Sequence, residues 1–222
     1  MKIKISVRNL VEFILRSGDI DNRGAGGMQM EAMQRGSRLH RKLQKKAGPM
    51  YHAEVPLKME FEEENYTIVL EGRADGIFES QTDGITYMTI DEIKGVFLDV
   101  SALSEPITVH LAQAKCYAFM YALQNHLEEI SVRMTYINLD TEQVRHFTQR
   151  YDFACLEEWF QALMQSYKKW AQFLYDWRLT RQASIKGLEF PFPYRKGQKE
   201  LASGVYRTIL RKKNLFIQAP TG

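Results

Sequence analysis

Glu71-Gly72-Arg73-Ala74-Asp75-Gly76, followed by Thr89-Ile90-Asp91-Glu92-Ile93-Lys94, decides how this chain is read. Asp75 closes one apolar run, and Glu92 and Lys94 close another. Two carboxylates and one amine then stand at the tips of adjacent strands. The stretch between Asp75 and Glu92 is one that neighbouring antiparallel strands can close. Glu92 and Lys94, at i and i+2 on a strand, point to one face, while Asp91 points to the other. Phosphodiester hydrolysis needs a nucleophilic water, charge stabilisation at phosphorus and help for the leaving oxygen, and a divalent ion can provide all three. Hard carboxylate oxygens suit magnesium or manganese. Lys94 can contact the attacking water or the phosphate. The trio therefore suggests a chain that cuts nucleic acid.

The surrounding pattern supplies the sheet. Strands are predicted from about Tyr51 to Glu62, Tyr66 to Phe78 and Ile85 to Val96, with turns at Asn65 and at Thr82-Asp83-Gly84. A helix is predicted from about Thr108 to His126, then strands over Ile130 to Leu139 and Gln143 to Tyr151, turning at Asp140-Thr141. Before the strands, Ser6 caps a short helix with Val7, Leu10, Val11 and Ile14 on one side. Gly24-Ala25-Gly26-Gly27 is a flexible connection, and a second helix runs from Met28 to Ala47. The order ααβββαββ predicts an α/β fold, a mixed β-sheet flanked by helices.

Residues Phe153 to Gln182 carry the plainest helical pattern, with Leu156, Trp159, Phe160, Leu163, Tyr167, Trp170, Phe173, Leu174 and Trp177 at spacings of three and four. Such a stripe is usually core packing, although it can also bind bases. After Ile185 the character changes. Two prolines mark a linker over Gly187-Leu188-Glu189-Phe190-Pro191-Phe192-Pro193, and a helix to about Lys213 and a short strand at Leu215-Phe216-Ile217-Gln218 follow. Residues 1–186 are expected to form one domain and 187–222 a linker with the beginning of another.

Composition bounds the class. The chain has 222 residues, 45% hydrophobic and 26% charged, as in ordinary globular proteins. No apolar run approaches the roughly 18–20 residues that span a bilayer, so no membrane partner is expected. Cys116 and Cys155 form no C-x-x-C pair, which argues against a zinc or iron–sulfur site and fits a reducing cytoplasm. The net charge of +3 does not by itself demand nucleic acid. Locally Arg35, Arg38, Arg41, Lys42 and Lys45 form a basic stripe on the second helix, which reads as a solvated face or as a phosphate track.

Three further features join the trio. His40 lies at the margin of the apolar face set by Gly36, Leu39, Leu43 and Ala47, and Gly36 leaves room for another element to approach. Gln113 and Tyr117, at i and i+4, can both face the site. Gln113 can bond to a nucleotide or orient the lysine, and Tyr117 can pack on a base or sugar. Each pattern alone also fits a surface pair or a core residue.

Taken in order, Gly36-x-x-x-His40, Gly72-x-x-Asp75, Glu92-x-Lys94 and Gln113-x-x-x-Tyr117 resemble the RecB-type branch of the PD-(D/E)xK nuclease superfamily. The resemblance spans residues 36–117 and implies a restriction-endonuclease-like core. It implies His40, Asp75 and Glu92 as metal ligands, with the Ile93 carbonyl as a further one. It also implies Lys94 as catalytic lysine, acting with Asp75 and Glu92, and Gln113 with Tyr117 on the substrate side. Many relatives carry four cysteines around an iron–sulfur cluster; this chain does not, so no cluster is expected.

The tail resembles the start of a DinG/XPD-type superfamily 2 helicase. Tyr194-Arg195-x-Gly197-Gln198 looks like an adenine-reading Q motif, with Gln198 the adenine contact, and Ala219-Pro220-Thr221-Gly222 looks like half of a Walker A loop. Lacking the Walker lysine, these residues should not hydrolyse ATP. The combined expectation is a magnesium- or manganese-dependent deoxyribonuclease, with an exonuclease the favoured form. It would act on single-stranded or frayed DNA delivered by a covalently continuous helicase in DNA repair. The alternatives are a non-catalytic domain that positions DNA, and a nuclease acting on RNA.

Overall fold

Ile3 and Ile5 alternate with lysines at the N-terminus, and Lys2–Ser6 form a strand, β1, that the sequence reading did not anticipate. Ile3 is buried. Ser6 ends β1 and begins α1 (Val7–Leu15): its Oγ accepts the Asn9 N–H at 3.1 Å, as expected of an N-cap. Val7, Leu10 and Val11 are the buried face of α1. A computed structural model describes residues 1–18 and 28–218 of the chain. The predicted glycine-rich connection at 24–27 and the loop at 219–222 lie outside the described residues.

The next elements are α2 (Met28–Lys46), β2 (Tyr51–Glu62), β3 (Thr67–Thr82) and β4 (Ile85–Val96), close to the predicted bounds. The β3–β4 hairpin closes from the pair Thr82–Ile85 through Asp83 and Gly84. Both turn residues have positive φ, 53° and 78°, the twist-matched geometry that an Asp-Gly pair favours. A helical turn at Val100–Ala102 leads to α3 (Thr108–Asn125), β5 (Glu129–Asn138) and β6 (Val144–Asp152). The order β1-β3-β4-β5-β6, with β2 also on β3, gives a six-stranded mixed sheet. β1 is parallel to β3 and β4 is parallel to β5, and the other neighbours are antiparallel. A parallel pair needs a crossover, and α3 supplies it between β4 and β5. The chain is thus α/β, a mixed sheet flanked by helices.

β3 is the hub, and its pairing contains a gap. β2 follows one of its edges from Thr67 to Phe78. On the other edge, β1 pairs with Thr67 to Glu71 and β4 with Gly76 to Thr82. Between them, residues 72–75 face neither strand. The sheet forks here, at Gly72-Arg73-Ala74-Asp75.

α3 is buried along most of its length, through Ala112, Ala114, Cys116, Ala118, Phe119, Met120 and Ala122. The small alanines let it lie close to the sheet, and the burial of Cys116 is apolar packing. α4 (Phe153–Lys186) buries Leu156, Phe160, Leu163, Met164, Tyr167 and Ala171. Its predicted stripe is therefore core only as far as Ala171; Trp170, Phe173, Leu174 and Trp177 are exposed.

The chain divides into compact units at Met1–Asp176 and Trp177–Gly222, a boundary inside α4 rather than after residue 186. The second unit holds the end of α4 and α5 (Gln198–Leu210). The strand expected at 215–218 is not formed: Leu215, Phe216 and Ile217 are exposed and carry no ladder pairing. An apolar run becomes a strand only beside a partner strand, and these residues have none. No helix among the described residues is long and apolar enough to cross a membrane.

Gly76 has a packing role. A Cβ there would lie 1.9 Å from the Tyr51 ring, whose hydroxyl passes over β3 to donate to Asp91 Oδ2 at 3.1 Å. The ring is pinned by that bond and cannot swing aside freely. Gly76→Ala is expected to cost about 1–3 kcal/mol through overpacking and to lower the melting temperature by several degrees in calorimetry. A chain ending at Lys186 is expected to keep its cooperative melting transition at unchanged temperature, because the buried part of α4 ends at Ala171. Loss of that transition would place residues 187–222 in the core of the first unit.

Candidate metal centre at the sheet fork

Asp75 stands where β3 loses its partner. Instead of a ladder bond, its carboxylate Oδ2 accepts the Ile93 N–H of β4 at 2.7 Å. That bond ties the two prongs of the fork together and brings the Ile93 backbone, Glu92 and Lys94 beside Asp75. β2 arrives from the other edge. Glu54 falls opposite Asp75 but has φ of 58°, and the regular ladder skips this pair. A left-handed conformation costs a non-glycine residue on the order of 1 kcal/mol. Glu54 is held there by bonds from Gln44 Nε2 at 3.0 Å and Arg73 Nε at 2.7 Å.

α2 adds His40 and Gln44, one helical turn apart and so on one face. Gln44 Nε2 also donates to the Asp75 carbonyl at 2.9 Å, taking the place of the missing ladder bond. His40 Nε2 lies 3.4 Å from Asp75 Oδ2. A small apolar cluster of Leu39, Ile93, Ile137 and Leu139, with Leu43 packed on it, docks α2 over this end of the sheet. Leu39 is fully buried, and its neighbour His40 is thereby aimed at the fork. The expected role of Gly36 is not seen: a Cβ there would touch nothing within 4 Å. Gly36 instead lines an open groove with Met33, His40, Ile93 and Phe97.

His40, Glu54 and Asp75 offer ligand atoms that all lie within 4.8 Å of one another. The sequence reading expected His40, Asp75 and Glu92 with the Ile93 carbonyl. The structure brings the first two together and adds Glu54. Glu92 stands outside this compact set, although it is close enough to feel the Asp75 charge. Glu54 gave no sequence signal, since a glutamate in a half-exposed strand is common. Its relevance comes from the register of β2 on β3.

Glu92 and Asp91 are adjacent carboxylates with opposite surroundings. Asp91 is buried but saturated. It accepts Arg133 Nε at 3.0 Å and Nη2 at 2.8 Å, Thr135 Oγ1 at 2.6 Å and the Tyr51 hydroxyl. Glu92 is 1% exposed; Oε1 pairs with Lys94 Nζ at 2.8 Å, while Oε2 has no partner. Burial, and then repulsion from Asp75, push its pKa up to about 8 against the opposing pull of Lys94. Burial alone would lower the His40 pKa, but Asp75, with Glu54 and Glu92 behind it, outweighs burial and leaves it raised. Among the described residues, the buried side-chain polar atoms without a hydrogen-bond partner are His40 Nε2 and Glu92 Oε2. Each such orphan costs about 1–3 kcal/mol. His40, Glu54 and Asp75 together offer one imidazole nitrogen and two carboxylates, a donor set that fits a divalent cation of the magnesium or manganese type.

Lys94 is held by Glu92 and by Gln113 Oε1, which accepts from Nζ at 2.8 Å. Of the two roles expected for Gln113, orienting the lysine is the one the geometry provides. Tyr117 corrects the reading. It is 3% exposed and packs on Gly72, where a Cβ would fall 2.8 Å from the ring. In this packing it offers no face to a base or sugar and supports the fork from beneath. The basic stripe of α2 is partly committed elsewhere. Arg35 bonds Leu139 O at 3.3 Å and Asp140 Oδ1 at 2.7 Å, and Lys42 pairs with Glu142. In the second unit, Gln198 Oε1 accepts the Arg195 N–H at 2.8 Å.

No family model matches the chain, and no curated protein matches it. Among solved structures, the chain is similar to the protein of a crystal structure called SSO0001. That protein is 19% identical over 73% of this chain and 75% of its own, with a TM-score of 0.45. A likeness this distant carries no argument about activity.

If the fork is a cation site, manganese binds the intact chain and Asp75→Ala abolishes the heat of binding in titration calorimetry. Glu54→Gly removes one carboxylate while relieving the left-handed backbone. It is expected to hold stability within about 1 kcal/mol yet weaken manganese about tenfold or more. Unchanged affinity in Glu54→Gly would remove Glu54 from the ligand set.

Proposed function

We propose that this chain is a metal-dependent nuclease that hydrolyses DNA phosphodiester bonds. The observation that carries this reading is a half-buried lysine, Lys94, held between Glu92 and Gln113 beside the fork where His40, Glu54 and Asp75 converge. The ordered resemblance to RecB-type nucleases supports it, with Tyr117 as a packing residue rather than a substrate contact.

His40, Glu54 and Asp75 would hold magnesium or manganese, with Glu92 and the Ile93 backbone bordering the site. A bound ion would supply charge stabilisation to the phosphate and to the leaving oxygen. The chain's own residues do the rest. Lys94 Nζ has three donors; Glu92 and Gln113 take two of them, and the third is free to meet a phosphate oxygen or the attacking water. Because the ammonium is fixed in advance, no reorganisation is needed as charge develops on the phosphate. Asp75 holds the prongs of the fork at one spacing through Ile93, so the metal-side and lysine-side groups keep their relative position.

The tail reading extends the proposal: residues 187–222 would open a helicase in which Gln198 reads adenine, and the nuclease would process strands delivered by it in the cytoplasm. A non-catalytic domain that only positions DNA is the competing reading, and Glu92 Oε2, buried beside Lys94 without a hydrogen-bond partner, favours the enzyme.

Cleavage assays with manganese or magnesium on single-stranded, double-stranded and flap DNA test the proposal. The intact chain is expected to cut, and Lys94→Ala to lose roughly 10²–10³-fold in turnover with DNA binding largely kept. Equal turnover for Lys94→Ala at saturating DNA would remove the lysine from the mechanism. Metal-independent binding with no cleavage would favour the positioning domain.

A further inference from the structure

Next to the fork, two hollows share Glu12 and Arg16 of the α1 region. The smaller, about 380 Å³, is lined by Lys94, Gln113, His110 and Arg8. The larger, about 1140 Å³, runs along α1 to α4 and is lined by Lys4, Asn9, Phe13, Tyr167, Trp170 and Phe173. The first opens on the candidate catalytic lysine, and the second continues away from it.

The far wall is an aromatic ledge. Phe13 meets Trp170 edge-on at 5.2 Å, and Trp170 meets Phe173 edge-on at 6.5 Å. All three remain more than half or about half exposed, at 53%, 50% and 57%. Large aromatics at the end of a buried helical stripe usually find a covering element, and among the described residues of the first unit nothing covers these. Their floor is fixed, because Tyr167 beneath Phe13 is buried in the core. The charges along the path are predominantly basic. Lys4, Arg8, Arg16 and Lys94 face Glu12 and Glu71, and Glu12 is already paired with Arg8 at 2.8 Å. In the smaller hollow, His110 is neutral: burial, then Lys94 and Arg8, lower its pKa to about 4. Tyr136 Oη accepts the Ile107 N–H at 2.9 Å and lies 3.3 Å from His110 Nδ1.

We infer that the two hollows together form a binding track for unpaired nucleic acid, with bases stacked on Phe13, Trp170 and Phe173 and the backbone led past Arg16 to Lys94. The inference rests on reading the fork as a nuclease site. Stacking rings with basic groups between them suit single strands, because any base has a face to offer once it is unpaired. A duplex keeps those faces inside its own stack. The larger hollow exceeds the roughly 300–1,000 Å³ of a site for one drug-sized molecule, which suits several nucleotides rather than a mononucleotide.

The test is fluorescence anisotropy with the whole chain in EDTA, where no cleavage occurs, at one fixed salt concentration. The probes are labelled oligothymidylate and a blunt duplex of equal length. Phe13→Ala/Trp170→Ala is expected to weaken oligothymidylate binding about tenfold or more and to change duplex binding far less, while Trp170→Phe keeps most of the affinity. Phe173→Ala, at the outer edge of the ledge, should shift affinity in the same direction and serves if the double variant loses its melting transition. Unchanged oligothymidylate affinity in these variants, or an equal loss on both probes, overturns the track. A wild-type chain that binds neither probe also overturns it and leaves the ledge as a protein-docking face. Selective oligothymidylate binding on the ledge without any metal-dependent cleavage upholds the track and overturns only the nuclease reading.

Discussion

A single hydrogen bond, from the Ile93 N–H to Asp75 Oδ2, closes a gap that the strand pairing leaves open. β3 cannot pair with β1 and β4 at the same residues, so residues 72–75 lose their neighbour on one edge. A bare edge inside a sheet is costly, because its backbone groups lie away from water. Here side chains take over: Asp75 accepts from β4, and Gln44 of α2 donates to the Asp75 carbonyl on the β2 side. The fork is thereby closed by side-chain bonds, with His40, Glu54 and Asp75 gathered at it.

What fills that space is decided by how each carboxylate is matched. Asp91 has a guanidinium, a threonine hydroxyl and a tyrosine hydroxyl, and is a structural strut. Glu92, the next residue, faces the other side with one oxygen on Lys94 and one on nothing. Alternation along a strand separates the two roles by one position. A buried unmatched oxygen lowers stability, and such a cost is tolerated where the group has a ligand to meet.

Much of the fold was legible in residues. The Asp83-Gly84 turn, the Ser6 cap and the extents of β4 and β5 each follow from local backbone chemistry, and the structure has them where the pattern put them. β1 went unread although Ile3 and Ile5 alternate, because five residues at a terminus give too short a period to stand out. The apolar run at 215–218 misled for the converse reason: strand character was present, but pairing needs a partner. Helical spacing could not show that the α4 stripe turns from core to exposed ledge after Ala171, since burial depends on what lies opposite.

The sequence by itself determined the α/β class, the hairpin that sets Asp75 near Glu92, and the same-face pairing of Glu92 with Lys94, because turn chemistry and strand alternation are local. Only the tertiary structure decided that Glu54 joins His40 and Asp75, that Gln113 holds Lys94, and that Tyr117 is buried against Gly72. Each of those depends on register between strands or on where a helix docks. Register and docking are fixed by the packing of residues distant in the chain, such as Leu39 on Ile93 and Ile137, and no local pattern carries that information.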